Sequence, residues 1–240
     1  MDVYIESRRV RLDPSRAIGK GGEADVFDVG GGRALKLFKA PDHPDLDGLP
    51  DEQRAAEERL REHQRKLPAF PTGLPPRVVV PDALATDRRG STIHGYRMRL
   101  LDGAELLARF ADPAARSAIP DARVVAVLRD LHASVAGLHR RGVVIGDFND
   151  LNVLVRGDEA HLIDADSFQF GPFACRVFTE RFVDPRLCAL ASPGIMLRRP
   201  FDTDSDWYAF AVMLMQSLLF VGPYGGIHKP KGKPKLTPHE

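Results

Sequence analysis

Over the first forty residues, apolar and polar positions alternate in short runs. Val3, Tyr4 and Ile5 form one run and residues 24–29 a second; Gly30, Gly31 and Gly32 break the pattern, and residues 34–38 resume it. This predicts short strands, among them a hairpin preceded by a glycine-rich turn. Prolines crowd residues 41–81, but residues 51–67 contain none and are rich in helix formers. Ala56, Leu60, His63 and Leu67 fall on one stripe of that helix. Residues 77–80 and 93–101 read as strands, the second closed by Asp102 and Gly103. From about residue 104 the pattern turns helical. Residues 121–141 predict a long amphipathic helix, with Asp121 as N-cap and Gly142 as the stop. A short apolar strand at 143–145, the loop GDFND, a strand LNVLV and another at 160–163 ending in DADSF come next. An irregular stretch runs to about residue 204. The apolar run 207–222 is shorter than the roughly 20 residues that cross a bilayer and reads as a buried helix.

The fold class expected is therefore α+β. A β-rich N-terminal part with one helix, residues 1–101, is joined near Asp102-Gly103 to a mainly helical part, residues 102–222. The latter carries a small two-hairpin element that presents acids at its strand ends. Residues 223–240, ending KPKGKPKLTPHE, read as a flexible basic tail. There is no internal repeat.

Composition narrows the function. Lys+Arg is 34 and Asp+Glu 33, a net charge of +1, which argues against nucleic acid as partner. The 43% hydrophobic and 28% charged content is that of a folded domain. The two cysteines, Cys175 and Cys188, form no CxxC pair, so thiolate zinc and a disulfide scaffold are not expected. With no apolar leader at the start, the expected location is cytoplasmic, away from membranes. Both cysteines, and His132 and His139, are expected to pack.

Four features carry candidate chemistry. In IGKGGEADVF, Gly19, Gly21 and Gly22 let a backbone approach phosphate oxygens, although a plain turn is the commoner use of such a stretch. Lys36 shares its strand face with Ala34 and Phe38, so it wants an anionic partner, a carboxylate or a phosphate. Glu57 or Glu58 on the charged helix could supply the carboxylate, and Glu57 lies nearer the apolar stripe. In IGDFNDLNVLV, Asp147 and Asn152 flank Asp150 between two apolar segments, where turn formation alone would also favour them. In HLIDADSF, Asp164 follows an apolar strand directly. Asn152 and Asp164 together offer hard oxygen ligands suited to Mg²⁺.

Taken in order and spacing, these residues resemble the eukaryotic-like protein kinase superfamily from about Gly19 to about Phe220. More narrowly, GDFNDLNVLV with IDADSFQ resembles a bacterial kinase-like subgroup. Some of its members sit beside helix-hairpin-helix modules or von Willebrand A-type partners. The resemblance implies a bilobal fold with a β-rich N-lobe and a mainly helical C-lobe, the latter expected to be truncated here and completed by a partner domain or C-terminal extension. It implies ATP and Mg²⁺ as cofactors and a protein hydroxyl as acceptor. Gly19, Gly21 and Ala24 match the glycine loop, Val26 the residue over adenine, Lys36 the phosphate-gripping lysine and Glu57 its helix partner. Met98 matches the gatekeeper and residues 99–101, with Leu100 and Leu101, the adenine-binding hinge. Asp147 matches the catalytic aspartate, Asn152 and Asp164 the metal ligands, and Asp206 the buried aspartate that ties down the catalytic loop. The sequence departs from the family at Gly146, where an arginine is usual, at Ala165 and Asp166 in place of Phe-Gly, and at Arg186 in place of glutamate. These departures leave open a nucleotide-binding pseudokinase or a kinase of small molecules.

Overall fold

The structure, a computed structural model, describes residues 2–191 and 194–223. It is α+β. The chain divides into two compact units, one of residues up to Thr72 with Val79–Asp102, the other of Gly73–Val78 with the residues from Gly103 onward.

The first unit is built on seven antiparallel strands: β1 (Asp2–Ile5), β2 (Arg8–Arg11), β3 (Ala17–Lys20), β4 (Ala24–Gly30), β5 (Arg33–Phe38), β6 (Ala83–Thr86) and β7 (Ile93–Arg99). Their order in the sheet is β2-β1-β6-β7-β5-β4-β3. One face carries Val3, Ile5, Leu12, Phe27, Leu35, Leu37 and Ala85 in a single apolar cluster. Its members come from both ends of the strand order, so the sheet has to curl around them. The opposite face packs Ala24, Phe38, Ile93 and Tyr96 against Leu67, with Leu60 and Met98 at the margin. Leu60 and Leu67 belong to the predicted stripe, carried by helix α1 (Pro50–Lys66) and its cap. Gly95 of β7 has a specific task. A Cβ there would lie 2.0 Å from the Lys36 carbonyl oxygen, so only glycine lets β7 pair with β5 at that point.

Residues 77–80 do not form the expected strand. Val78 and Val79 are buried, but Val78 makes only an isolated bridge, to Leu162. Pro75, Pro76 and Pro81 bracket the segment and lack the N–H a ladder needs; the strand forms at β6 instead.

In the second unit, β8 (Glu105–Leu106), β9 (Val153–Arg156) and β10 (Glu159–Leu162) make a small sheet, and β11 (Cys188–Leu190) pairs with β12 (Ile195–Leu197). The last hairpin lies in the stretch the pattern left irregular. Helix α2 (Pro113–Arg116) is a single turn. Helix α3 (Asp121–His139) buries Val124, Val127, Leu128, Leu131, Val135 and Leu138, the spacing of one helical face. Asp121 is its first helical residue and Pro120 its N-cap, a correction of one position. Gly142 lies just beyond it at φ +69°. The segment Gly73–Val78 packs on this unit: Pro75 sits where a side chain at Gly137 would be, and Arg77 pairs with Asp130 and Glu159.

In residues 143–145, Val143 and Ile145 are buried and Val144 partly so, but the segment is not the expected strand, since only Val144 bridges, to Gln169. The next two backbone N–H groups, of Ile145 and Gly146, are taken by a side chain, which ends any ladder. Helix α4 (Thr203–Leu219) opens with a capping box between Asp202 and Ser205. It buries Ala209, Phe210, Val212 and Met213 but leaves Leu218, Leu219 and the following Phe220 exposed, so it is only part-buried. No helix among the described residues is long and apolar enough to cross a membrane. Most of the predicted basic tail, from residue 224, lies outside the described residues.

Candidate functional site

In the first unit, strand pairing aligns Gly19 with Val26, Val26 with Lys36, and Lys36 with Tyr96. Cross-strand partners share a sheet face, so three expected site residues lie in one row, on the face that α1 covers. Lys36 is 7% exposed. Its ammonium lies 5.9 Å from the centroid of the Phe38 ring, which in turn stacks on His63 of α1 at 4.2 Å. Among the turn glycines, Gly21 donates its N–H to the Ala24 carbonyl at 2.9 Å. None of Gly19, Gly21 and Gly22 has positive φ, and a Cβ on Gly22 would meet nothing. Their glycine character is thus not demanded by backbone conformation; it leaves room above the turn.

Glu57 is not brought to Lys36. Its carboxylate, 63% exposed, accepts from Arg61 on the same helix at 3.1 Å, because residue 57 sits one position past the stripe residue Ala56 and turns outward. Glu58 is exposed as well. Met98 packs against the Phe38–Tyr96 cluster. The Leu100 N–H donates to the Gly32 carbonyl at 2.9 Å, a bond inside the unit, and Leu101 is buried. Sequence reading missed Lys39. It is 4% exposed, and its ammonium donates to the Gly21 carbonyl and to Asp45, each at 2.6 Å.

In the second unit, β9 and β10 pair with Val153 opposite Leu162. The open end of this hairpin therefore places Asn152 beside Ile163, whose N–H donates to the Asn152 carbonyl at 3.0 Å. Asp164 follows at once, in the left-handed region at φ +62°, and its carbonyl accepts from the Ser167 N–H and hydroxyl. The Asn152 side-chain amide donates to the Asp147 carbonyl at 3.0 Å. Asp147, Asn152 and Asp164, dispersed in sequence, are thus gathered around one hairpin end.

The loop that carries Asp147 is anchored from below. Asp206, fully buried in the first turn of α4, accepts the Ile145 N–H at 2.8 Å and the Gly146 N–H at 3.0 Å. His139 is more than packing: its Nε2 lies 2.8 Å from Asp206 Oδ2, with its ring edge-on to Trp207. His132 packs on Trp207 and Phe210 as expected. Gly146 has φ +79°, and a Cβ there would lie 2.6 Å from that of Cys175. With this backbone no side chain, an arginine included, fits at 146. Cys175 and Cys188 are both buried beside Val183, Leu187 and Phe201, and burial pushes the Cys188 thiol up.

Above the loop, the Thr179 hydroxyl donates to Asp147 Oδ1 at 2.8 Å and accepts from the Asn149 amide at 3.1 Å. Arg181 forms two bonds to Asp150, at 2.9 and 3.1 Å, and its guanidinium lies over the Phe182 ring. Burial raises the Asp150 carboxyl above its ordinary value, while Arg181 pulls it down. Nothing local marked the pairing of Thr179 with Asp147 or of Arg181 with Asp150 in the sequence, since the partners lie about thirty residues apart.

A carboxylate 2.8 Å from a hydroxyl has the reach of a general base. Asn152 and Asp164 offer the hard oxygens a magnesium ion takes, although no three His, Cys, Asp or Glu side chains cluster as a metal site among the described residues.

No family model matches the chain. It is 27% identical over 239 residues, 94% of its length, to Protein kinase YegI of Escherichia coli O157:H7. Against Protein kinase YegI of Escherichia coli strain K12 it is 27% identical over 235 residues, or 92%. The similarity supports a kinase-like family. The chain spans 33% of the length of each of these relatives.

Proposed function

We propose that the chain is the kinase-like part of an ATP-dependent phosphotransferase of the bacterial subgroup, and that its acceptor is a serine or threonine hydroxyl of a protein. The observation that carries this reading is the hairpin end that gathers Asp147, Asn152 and Asp164. The relatives' names add to it. In this reading the two units are the lobes of a bilobal fold. Gly19, Gly21, Gly22 and Lys36 orient the phosphates of ATP; Val26, Met98, Leu100 and Leu101 take the adenine. Asn152 and Asp164 hold Mg²⁺, which when bound spreads positive charge over the phosphate oxygens. Asp147 aligns the acceptor hydroxyl and takes its proton. Positioning and charge neutralisation supply most of the rate. The exposed apolar end of α4, Leu218, Leu219 and Phe220, supports a covering partner domain or further chain.

Turnover of Mg²⁺-ATP tests this in the wild type, Asp147→Ala and Lys36→Ala. We expect a loss of at least a hundredfold in each variant; equal turnover in all three removes the reading. One observation favours a second reading, nucleotide binding without transfer: the Asp147 carboxylate is already engaged by Thr179 and Asn149. Thermal stabilisation by ATP with no phosphate released would select it.

A further inference from the structure

Behind the glycine-rich turn of the first unit lies a charged cluster that the proposed reaction does not use. Lys39 is the next residue after β5, three positions beyond Lys36, and only 4% exposed. A buried ammonium has to be paired and hydrogen-bonded to be tolerated. Lys39 meets that demand by donating to the Gly21 carbonyl and to Asp45, each at 2.6 Å, with Asp25 of β4 at 3.8 Å. The Lys39 N–H also donates to the Glu23 carbonyl at 2.9 Å. One residue thus grips both ends of the three-residue turn, Gly21 through its side chain and Glu23 through its backbone. Asp45 is itself fixed: its N–H donates to His43 Nδ1, and the Lys39 bond holds its carboxyl below the usual carboxylate range. A second anchor comes from α1, where Arg59 pairs with the Glu23 carboxylate at 2.8 Å.

We infer that Lys39 is a positioning residue that holds the glycine-rich turn in a preformed shape for a nucleoside polyphosphate, with Arg59 and Glu23 as its second tie. Glycines give a turn access to phosphate but also freedom, and freedom lost on binding weakens affinity. A buried donor on the Gly21 carbonyl removes that freedom before the ligand arrives. The inference rests on the nucleotide-binding reading, and its test separates the two.

The experiment uses the full chain, wild type and Lys39→Met, which keeps the apolar stem and removes the ammonium. Hydrogen exchange of residues 19–25 is measured without nucleotide, and the dissociation constant for Mg²⁺-ATP by titration. Lys39→Met is expected to exchange about tenfold faster over the turn but not over β6 and β7, and to bind ATP roughly tenfold more weakly. A residue of merely structural importance would instead lower the melting temperature and leave both readouts of the folded protein unchanged. A turn exchanging at the wild-type rate overturns the inference, and so does faster exchange with unchanged affinity. Should Lys39→Met not fold, Asp45→Asn at its half-exposed position gives the same readouts, with a smaller change of about threefold. If the wild type does not bind ATP, the nucleotide reading fails, while the exchange comparison still decides whether Lys39 orders the turn.

Discussion

The glycine-rich turn of the first unit and the Asp147 loop of the second are both held by a buried charge, and the charges are opposite. Lys39 donates to the turn's Gly21 carbonyl, whereas Asp206 accepts the loop's Ile145 and Gly146 N–H groups. Each anchor takes up one kind of backbone group: the ammonium a carbonyl oxygen, the carboxylate two N–H groups. The acid loop is the more rigidly specified of the two. Its anchor is fully buried, Gly146 is forced by positive φ and by Cys175, and Thr179, Asn149 and Arg181 tie it from above. The turn has a weaker steric demand: a Cβ on Gly22 would meet nothing, one on Gly19 only an ordinary contact with Val26, and one on Gly21 the Ala24 carbonyl oxygen at 3.3 Å. A segment that must offer side-chain oxygens at fixed places needs more constraint than one that must leave room for a ligand.

The comparison breaks most clearly at Asp206. Asp206→Ala strands two buried N–H groups and the His139 ring, and should cost about 3–5 kcal/mol, read from the urea midpoint. Gly146→Ala comes next, at roughly 2–3 kcal/mol, because it combines strain at positive φ with a clash against Cys175. Gly22→Ala, which meets nothing, should cost less than about 0.5 kcal/mol, and near-equal costs at the two glycines would erase the contrast drawn above.

Asp150 adds a pH dependence with a definite sign. Burial raises its folded value above the ordinary 3.8, so the folded chain holds that proton more tightly than the unfolded chain. Its contribution to stability is full below the unfolded value and is lost as pH rises through the folded one. Arg181 opposes the rise, so Arg181→Ala should make the stability loss steeper, by about 1 kcal/mol between about pH 4 and pH 7, in urea melts at the two values. Absence of any added slope would show that the Arg181 bonds do not act on this carboxyl.

The smallest effects separate two ion pairs on α1. Arg59→Ala breaks the tie to Glu23 and should cost about 0.5–1 kcal/mol, whereas Arg61→Ala breaks only the exposed pair with Glu57 and should cost about 0.3 kcal/mol. Double-mutant cycles with Glu23→Gln and Glu57→Gln measure both, and a larger coupling at Glu57 would reverse the assignment.

The sequence by itself determined the α+β class, the helix stripe of Ala56, Leu60, His63 and Leu67, the hairpin across residues 30–32 after the glycine-rich turn, and the apolar strand face that Lys36 shares with Ala34 and Phe38. These follow from periodicity and turn chemistry over a few residues, which a chain writes locally. It also carried, through resemblance, the anchoring role of Asp206. Only the tertiary structure decided that Glu57 turns to Arg61, that His139 backs Asp206, that Lys39 grips the glycine-rich turn and that Thr179 rests on Asp147. It also decided that residues 143–145 and 77–80 are not strands. In the first of these segments the backbone donors that follow were claimed by a carboxylate sixty residues away. Hydrogen-bond partners across such separations depend on which surfaces meet after packing, and spacing along the chain holds no record of that meeting.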